Sequence, residues 1–198
     1  MSDGVDQKRT YLRIVSALRF RCGWWIETPA VSELDFMQLT ANHGEFRYKL
    51  ELLGNKSASA MVTRNALFVG LCWMRLAMEH LEDAHNCLLM GRRRAVYSRA
   101  YYAAYNASKC VRYFVFGKVS LRGDDHHLAS ELPDDFPNVE KWAEEIPKLY
   151  EHRLHADYDN WQTTASEFTL SPEQAFELAS EFVERSRAYL SRRIGTPI

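Results

Sequence analysis

The sequence lacks a strong net charge of either sign, and this absence limits the partners that it can bind. Its 25 lysine and arginine residues are balanced by 26 aspartate and glutamate residues, for a formal net charge of -1 at pH 7. A protein with this balance has no global positive field that attracts nucleic acid regardless of base sequence. Any contact with nucleic acid must therefore come from a local patch of basic side chains.

The chain also lacks the cysteine patterns of disulfide-rich and zinc proteins. Its four cysteines form no CxxC pair and have no histidine at zinc-finger spacing. Cys72, Cys87 and Cys110 lie in apolar helical patterns, which predicts small core side chains in a reducing compartment. The adjacent His126 and His127 do not share a helix face, and no carboxylate lies at a suitable offset from both. We therefore expect no metal site and no cofactor.

No hydrophobic run is long enough to span a membrane. The most apolar stretch, Ala66 to Met78, is short and is interrupted by Arg75, and the first residues lack the apolar segment of a signal peptide. Hydrophobic residues nevertheless make up 46% of the chain, which is enough for a packed core. We expect a soluble, cytoplasmic protein without a membrane partner.

Residues 1–57 are predicted to form an N-terminal extension, separate from a helical domain over residues 58–198. Tyr11 to Phe20 has the spacing of a short amphipathic helix. Trp24 and Trp25 follow as an apolar pair, which is typical either of a core contact or of an exposed anchor for a partner.

A β-hairpin is predicted in the second half of this extension. Apolar and charged residues alternate from Phe46 to Leu52, which is the period of a half-buried strand, and Asn42-His43-Gly44 has the composition of a turn. The alternative is that Tyr48 to Leu53 begins a helix. Gly54 to Ser57 then breaks the pattern.

The rest of the chain has the 3.6-residue period of helices, so the fold class is mainly α, and four helices predict an antiparallel bundle. The four run from about Val62 to Gly91, from Ala95 to Phe116, from Val139 to Ala156 and from Ser171 to Leu190. Thr63 is a candidate cap of the first helix, Pro147 is expected to kink or split the third, and Ser171-Pro172 has the pattern of a helix start.

The second of these helices and the connection after it contain candidate binding residues. Tyr101 and Tyr105 share one face of a helix rich in alanine and serine, and Asn106 lies beside them. His127 lies in the polar connection that follows. The structural alternatives are helix packing for the tyrosines and a hydrogen bond at a helix end for His127. The basic run Arg92 to Arg94 favours either a nucleic-acid contact or the stabilisation of a helix end.

The densest group of chemically versatile residues is LYEHRLHADYDNW, from Leu149 to Trp161. In a helix, Arg153 lies one turn from Asp157 and on the same face. An arginine next to a carboxylate has two common uses, because its planar fork of donors either forms a structural ion pair or holds a phosphate. Both uses remain open from the residues alone.

Four stretches together resemble the HEPN (higher eukaryotes and prokaryotes nucleotide-binding) superfamily. They are RAYYAAYNASKCVRYFVFG (Arg99 to Gly117), the histidine at 127, the arginine-containing stretch just described, and SPEQAFELASEFVERSRAYL (Ser171 to Leu190). The likeness is greatest to small prokaryotic members with an R-x-x-A-D-Y signature, which here reads Arg153 to Tyr158.

The resemblance implies an antiparallel four-helix HEPN bundle that forms a homodimer, with its site in the dimer cleft. Many HEPN proteins are metal-independent endoribonucleases of toxin–antitoxin, abortive-infection or CRISPR systems. In such a mechanism, arginine stabilises charge on the phosphate while histidine moves protons. The candidate catalytic residues are then Arg153, His152, His155 and Tyr158, and Asp157 is a candidate binding residue.

This chain departs from the family's nuclease motif, in which histidine follows arginine after four to six residues. Those positions hold Tyr158, Asp159 and Asn160. A tyrosine, with an ordinary pKa near ~10, is a poor substitute for imidazole at neutral pH. The alternative hypothesis is a non-catalytic HEPN module that binds a nucleotide or a protein partner such as a nucleotidyltransferase.

Overall fold

The computed structural model describes residues 41–120, 125–159 and 168–195. Within these ranges the chain forms five α-helices, one 3-10 helix and no strand. They are α1 (His43–Leu52), α2 (Lys56–Leu89), α3 (Arg93–Phe116), the 3-10 helix (Asp125–Ser130), α4 (Val139–Tyr158) and α5 (Pro172–Ile194). The mainly α fold class is confirmed. The helix predicted over 11–20 and the pair Trp24 and Trp25 lie outside the described residues.

The chain divides into two compact units. The described part of the first unit is 41–69 with 116–120, and that of the second is 70–115, 125–159 and 168–195. The residues of α2 are shared between the two. The boundary placed between residues 57 and 58 stays a prediction.

The β-hairpin expected around Asn42 to Leu52 is wrong for the described residues, because this stretch is the helix α1. The alternation placed Phe46, Tyr48, Leu50 and Leu52 on one face, but Phe46 and Leu50 are buried while the other two are more than 60% exposed. Ion pairs four residues apart also fit a helix, since Lys49 contacts Glu45 and Arg47 lies 3.8 Å from Glu51. The alternative, that Tyr48 to Leu53 begins a helix, is right about the helical conformation but wrong about its start, since α1 begins at His43 and ends at Leu52.

Two glycines in the first unit allow a close backbone contact. The Gly44 N–H donates to Gly117 O at 2.9 Å, and the Val119 N–H donates to Ala41 O at 2.7 Å. Gly117 has a φ of 69°, and a Cβ at this position would lie 2.7 Å from the Cα of Gly44. Glycine is therefore required at 117 both for its conformation and for the contact.

In the second unit, α2 and α3 run antiparallel. The rings of Trp73 and Tyr113 are 5.0 Å apart, and about three turns further along α2, Asp83 faces Arg99 near the start of α3. Helix α3 is also antiparallel to α4. Tyr101 packs against Tyr150, with ring centroids 5.2 Å apart.

Helix α5 completes the bundle. Trp142 near the start of α4 packs against Phe182 of α5 at 4.9 Å between ring centroids, and His85 of α2 stacks on Phe176 at 5.4 Å. Trp142 and Phe182 are fully buried. The predicted antiparallel four-helix bundle is confirmed, and its helices are α3, α4, α5 and the part of α2 from residue 70.

The helix ends follow most of the predicted signals. Gly91 and Gly117 come just after α2 and α3 with positive φ. Ser171 caps α5, because its Oγ accepts from the Gln174 N–H and the Gln174 side chain accepts from the Ser171 N–H. Pro147 lies within α4, which continues through it as one helix.

The predicted cap at Thr63 is wrong, since α2 begins earlier, at Lys56. Thr63 lies inside the helix, and its hydroxyl donates to Ser59 O at 3.0 Å. Asn55 supplies the side-chain cap instead, by accepting from the Ala58 N–H at 3.1 Å. Among the described helices, none combines the length and the apolar character that crossing a membrane requires.

Candidate functional site

Arg153 is held between α3 and α4 by three polar contacts and two ring contacts. Its Nε lies 2.9 Å from Asp157 Oδ2, and its Nη2 donates to Tyr102 Oη at 2.8 Å and to Tyr158 Oη at 3.1 Å. The Cζ atom also lies 5.4 Å from the centre of the Tyr102 ring and 4.9 Å from that of Tyr158. Because its side chain is only 11% exposed, the guanidinium group is fixed in position.

Asp157 links this arginine to a second partner on α3. Its Oδ2 accepts a hydrogen bond from Ser98 Oγ at 3.3 Å while forming the ion pair with Arg153. The ion pair follows from the spacing of four residues, as the structural interpretation predicted. Asp157 is itself 29% exposed, so solvent reaches the carboxylate side of this ion pair.

Tyr158 gives the site an aromatic surface in solvent. It is the last residue of α4 and is 67% exposed, although its hydroxyl accepts from Arg153. An exposed ring next to a guanidinium group is an arrangement that can stack on a base while the cation holds a phosphate.

The histidines on either side of Arg153 have different surroundings. His152 is buried, its Nε2 accepts from the Leu170 N–H at 3.3 Å, and burial lowers its pKa. This geometry favours a structural role, in which His152 holds the chain that leads into α5. His155 is exposed, and its Nδ1 lies 2.7 Å from Asp159 Oδ2. The contacts of His155 are thus with Asp159 at the end of α4 and with Phe168, a different set of side chains from those around Arg153.

The structure brings a further histidine, His126, into the neighbourhood of Arg153. We name as the tyrosine cluster the four tyrosines that surround it, which are Tyr101, Tyr102, Tyr105 and Tyr150. The His126 ring lies 4.6 Å from Tyr105, 5.7 Å from Tyr101, 5.7 Å from Tyr150 and 6.3 Å from Tyr102, measured between centroids. The Nδ1 atom and Tyr101 Oη are 2.7 Å apart and share a hydrogen bond.

The ionisation of this cluster follows from its burial. Burial lowers the pKa of His126, and the positive charge of Arg153 lowers it further, so the imidazole is neutral at pH 7. Burial also raises the pKa of Tyr101 and of Tyr105 far above the ordinary value, so both hydroxyls keep their protons.

Asp125, the residue before His126, is anchored in the bundle. It is 1% exposed and accepts a hydrogen bond from the Tyr105 hydroxyl, while its Oδ2 lies 3.4 Å from Lys109 Nζ and 3.7 Å from Arg112 Nη2. A buried carboxylate with two cations and a hydroxyl as neighbours is strongly held. The 3-10 helix is therefore fixed at its first residue, and this fixes the direction of His126.

Of the remaining predicted binding residues, Asn106 and His127 are placed apart from the arginine. Asn106 is buried, and its side chain donates to Tyr102 O at 2.8 Å, which is a contact within α3. His127 is exposed, whereas its neighbour His126 lies in the cluster. Tyr101 and Tyr105 lie on the same side of α3 and both contact the His126 ring, which agrees with the shared face that their spacing predicted.

Sequence reasoning missed His126 because the two adjacent histidines carry no periodic signal. They lie in a six-residue 3-10 helix between polar residues, so spacing does not distinguish the buried side from the exposed side. The signal that could have found His126 is the acidic residue before it. If Asp125 is buried, it needs the cations and hydroxyls of α3, and this places the next residue, His126, near α3 as well.

Of the basic run 92–94, Arg94 stabilises the end of α4. Its Nε donates to Ala156 O at 2.7 Å, and its Nη2 donates to His155 O at 3.1 Å and to Asp159 O. These carbonyl groups lie at the end of α4, where helix carbonyls run out of intrahelical donors, although His155 O also accepts from the Asp159 N–H. The helix-end interpretation of the run is therefore correct for Arg94, although the helix is not the one that precedes it in the chain.

The fold and this arrangement define a class, that of antiparallel four-helix bundles with a fixed arginine and tyrosine hydroxyls near the end of one helix. Residues 71–189, more than half of the chain, match the family model of the HEPN domain, so the chain belongs to the HEPN family. No curated protein and no solved structure matches the chain.

Proposed function

We propose that this HEPN protein acts on RNA as a metal-independent endoribonuclease in which Arg153 binds the reacting phosphate. The observation that carries the proposal is the fixed guanidinium group of Arg153 beside the exposed ring of Tyr158. Among the described residues, the contacts of Arg153 engage Nε and Nη2. The Nη1 edge of the fork is left for a phosphate oxygen.

The chemistry that suits this site is attack of the ribose 2′-OH on the adjacent phosphate. Negative charge accumulates on the non-bridging oxygens during this attack, and a pre-positioned arginine stabilises that charge. Because Arg153 is held by Tyr102 and Tyr158 before substrate binds, little reorganisation is needed during the reaction. A flexible single strand supports such attack better than a duplex, and Tyr158 offers it a stacking surface.

The assembly and the setting form a second part of the proposal. We infer a homodimer formed through the bundle, acting in a prokaryotic defence, stress or toxin–antitoxin module such as phage defence. This inference rests on the membership in the HEPN family. The near-neutral net charge of -1 supports recognition through a local site rather than through a general positive surface.

Cleavage of a fluorescently labelled single-stranded RNA in the presence of EDTA tests the proposal. We expect wild-type protein to cleave, and Arg153→Ala to lower the rate by ~100-fold or more, because a group that stabilises the developing charge is removed. Arg153→Lys should stay well below wild type, since lysine lacks the planar fork.

Arg75→Ala is the matched control, because Arg75 also pairs with a carboxylate four residues along its helix but is 78% exposed. Its cleavage rate should equal that of wild type. An Arg153→Ala protein that is folded and fully active would contradict the proposal, as would a wild type that leaves RNA intact.

The second candidate function is a non-catalytic HEPN module that binds a nucleotide or a partner protein such as a nucleotidyltransferase. It is favoured by the residues at 158–160, which are tyrosine, aspartate and asparagine in place of the motif histidine. A wild type that binds a nucleotide in calorimetry with Arg153-dependent affinity, yet cleaves no RNA, would establish this function instead.

A further inference from the structure

We propose that His126, on the 3-10 helix, supplies the proton-transfer group of the Arg153 site, in place of the histidine that the α4 motif lacks. The inference rests on the proposed ribonuclease function, which it deepens. It assigns the missing imidazole to a different element of the fold rather than to His152 or His155.

Tyr102 places His126 and Arg153 at one site. Its hydroxyl accepts from Arg153 Nη2 at 2.8 Å, and its ring lies 6.3 Å from the ring of His126, between centroids. Tyr150, one turn before Arg153 on α4, provides a second link, since its ring stacks on that of His126 at 5.7 Å with an angle of 20° between the planes. Tyr102 is thus a neighbour of both functional groups, and Tyr150 holds His126 one helical turn from Arg153.

Among the described residues, the His126 ring is anchored at one nitrogen, which leaves the other for a substrate. Its Nδ1 is 2.7 Å from Tyr101 Oη, and the residue is only half-buried. When Nδ1 carries the proton and donates it to Tyr101 Oη, Nε2 has the free electron pair that a general base needs. Tyr101 is thus a positioning residue, and Asp125 is another, because it fixes the preceding backbone.

Charged and titratable groups face His126 from three elements of the fold. They are Tyr101, Tyr102, Tyr105 and Lys109 on α3, Tyr150 and Arg153 on α4, and Asp125 on the 3-10 helix. Burial, Arg153 and Lys109 lower the pKa of His126, and Asp125 alone acts in the opposite direction. A neutral imidazole at pH 7 is ready to accept a proton.

The reaction can be written with all atoms accounted for. Nε2 of His126 takes the proton of the 2′-OH as the O2′–P bond forms, and Arg153 stabilises the charge on the non-bridging oxygens. The P–O5′ bond breaks, and the 5′-oxygen takes a proton from water. The imidazolium then returns its proton to solvent, which leaves a 2′,3′-cyclic phosphate and a 5′-hydroxyl.

The other two histidines fit this role less well. His152 is 3% exposed and its Nε2 accepts a backbone hydrogen bond, so neither a 2′-OH nor solvent reaches it easily. His155 contacts Asp159 and Phe168, whereas the described partners of the Arg153 guanidinium group are Asp157, Tyr102 and Tyr158. His126 alone among the three is both partly accessible and joined to Arg153 through one side chain.

Two measurements test the assignment in the full-length protein. The first is the rate of RNA cleavage in EDTA by His126→Gln, His127→Gln and His155→Gln, with His85→Gln as an exposed control on α2. We expect His126→Gln to lose ~100-fold or more in rate, because the general base is removed, and the other three to stay within about 3-fold of wild type.

The pH profile adds a readout that a purely structural role would not move. Wild-type activity should fall as the pH drops through the lowered pKa of His126, because protonation removes the base. This acid limb should be absent from the residual activity of His126→Gln, and Tyr101→Phe should shift its midpoint without abolishing cleavage.

The second measurement is independent of cleavage. In NMR spectra of the histidine ring protons, an RNA oligonucleotide with 2′-O-methyl groups, which cannot react, should shift the His126 signal and change its pKa. The His85 signal should not respond. The two measurements therefore test the two proposals separately. A wild type that fails to cleave RNA overturns the ribonuclease function, whereas the NMR spectra report on His126 without any cleavage.

Three outcomes would overturn the assignment to His126. One is a folded His126→Gln variant with wild-type rate and an unchanged acid limb. Another is a loss of activity in His127→Gln or His155→Gln that His126→Gln does not share. The third is a His126 signal that stays unchanged although the oligonucleotide is bound, with binding detected by a shift of the Tyr158 ring signals.

Discussion

The charged residues of this chain differ most in how firmly their neighbours hold them. The Arg75 side chain is 78% exposed and meets Glu79 at 3.3 Å, whereas that of Arg153 is 11% exposed and has partners on two helices. An exposed pair contributes little, because water and salt screen it and two long side chains lose freedom. A fixed and partly buried guanidinium group is better prepared to receive a phosphate, which is why Arg153 is the centre of the site.

Asp125 offers the sharpest test at the residue scale. Asp125→Asn removes the carboxylate nearest to Lys109 and Arg112, whose side chains are only 13% and 6% exposed, and so leaves two largely buried cations poorly compensated. We expect the free energy of unfolding to fall by about 3 kcal/mol, measured by urea denaturation.

The matched control for Asp125 is Glu181→Gln. Glu181 also contacts two cations, Lys141 at 2.6 Å and Arg185 at 2.9 Å, but its side chain is 38% exposed. The loss of stability should stay below about 1 kcal/mol. Equal losses in the two variants would show that burial is not what makes the Asp125 contacts important.

How much of the site the sequence could predict also depends on the residue. The pair Arg153 and Asp157 followed from the spacing of four residues in a helix, and the structure contains it. The link between Arg153 and Tyr102 joins positions 51 residues apart, and local periodicity carries no information on such contacts. His126 was missed for a related reason, because its direction is set by the anchoring of Asp125 on α3.

At the scale of elements, the periodicity of the sequence predicted the long helices correctly, whereas it predicted a β-hairpin for the short stretch that forms α1. Over ten residues, an alternation of apolar and charged side chains can satisfy both a strand and a helix, and α1 buries just Phe46 and Leu50 of the four apolar positions. The later helices are 20 residues or longer, so the same ambiguity did not arise. Helix ends were predictable wherever glycine, serine or proline gave a local signal.

Helix α4 depends on a neighbouring element for its end. Arg94→Ala removes the side chain that donates to the carbonyls of His155, Ala156 and Asp159, so the last turn of α4 should fray. We expect a loss of about 1–2 kcal/mol in the free energy of unfolding and faster amide hydrogen exchange at the end of α4.

Arg92→Ala is the control for Arg94, because it removes an exposed arginine of the same basic run. Its stability should lie within about 0.5 kcal/mol of wild type. If both variants exchange their α4 amides at the wild-type rate, the carbonyl contacts of Arg94 do not hold the end of the helix. Since Tyr158 is the last residue of α4, fraying should also weaken RNA cleavage by Arg94→Ala.

At the scale of the whole molecule, three histidines of the described part of the chain make stability depend on pH. Burial lowers the pKa of His80, His126 and His152 in the folded protein, whereas in the unfolded chain the value is about 6.5. Between the folded and unfolded values, the unfolded state binds more protons. The free energy of unfolding must therefore fall as the pH decreases below about 6.5.

Urea denaturation from about pH 7.5 to about pH 5.5 measures this dependence. The carboxylates of Asp135, Glu173 and Glu181 contribute little in this range, because their pKa values are lowered from values that already lie below it. His152→Gln should therefore reduce the slope by removing one of the three groups. A stability that stays constant or rises on acidification would mean that the folded protein accommodates charged histidines. In that case the neutral His126 on which the proton-transfer assignment depends would also be wrong.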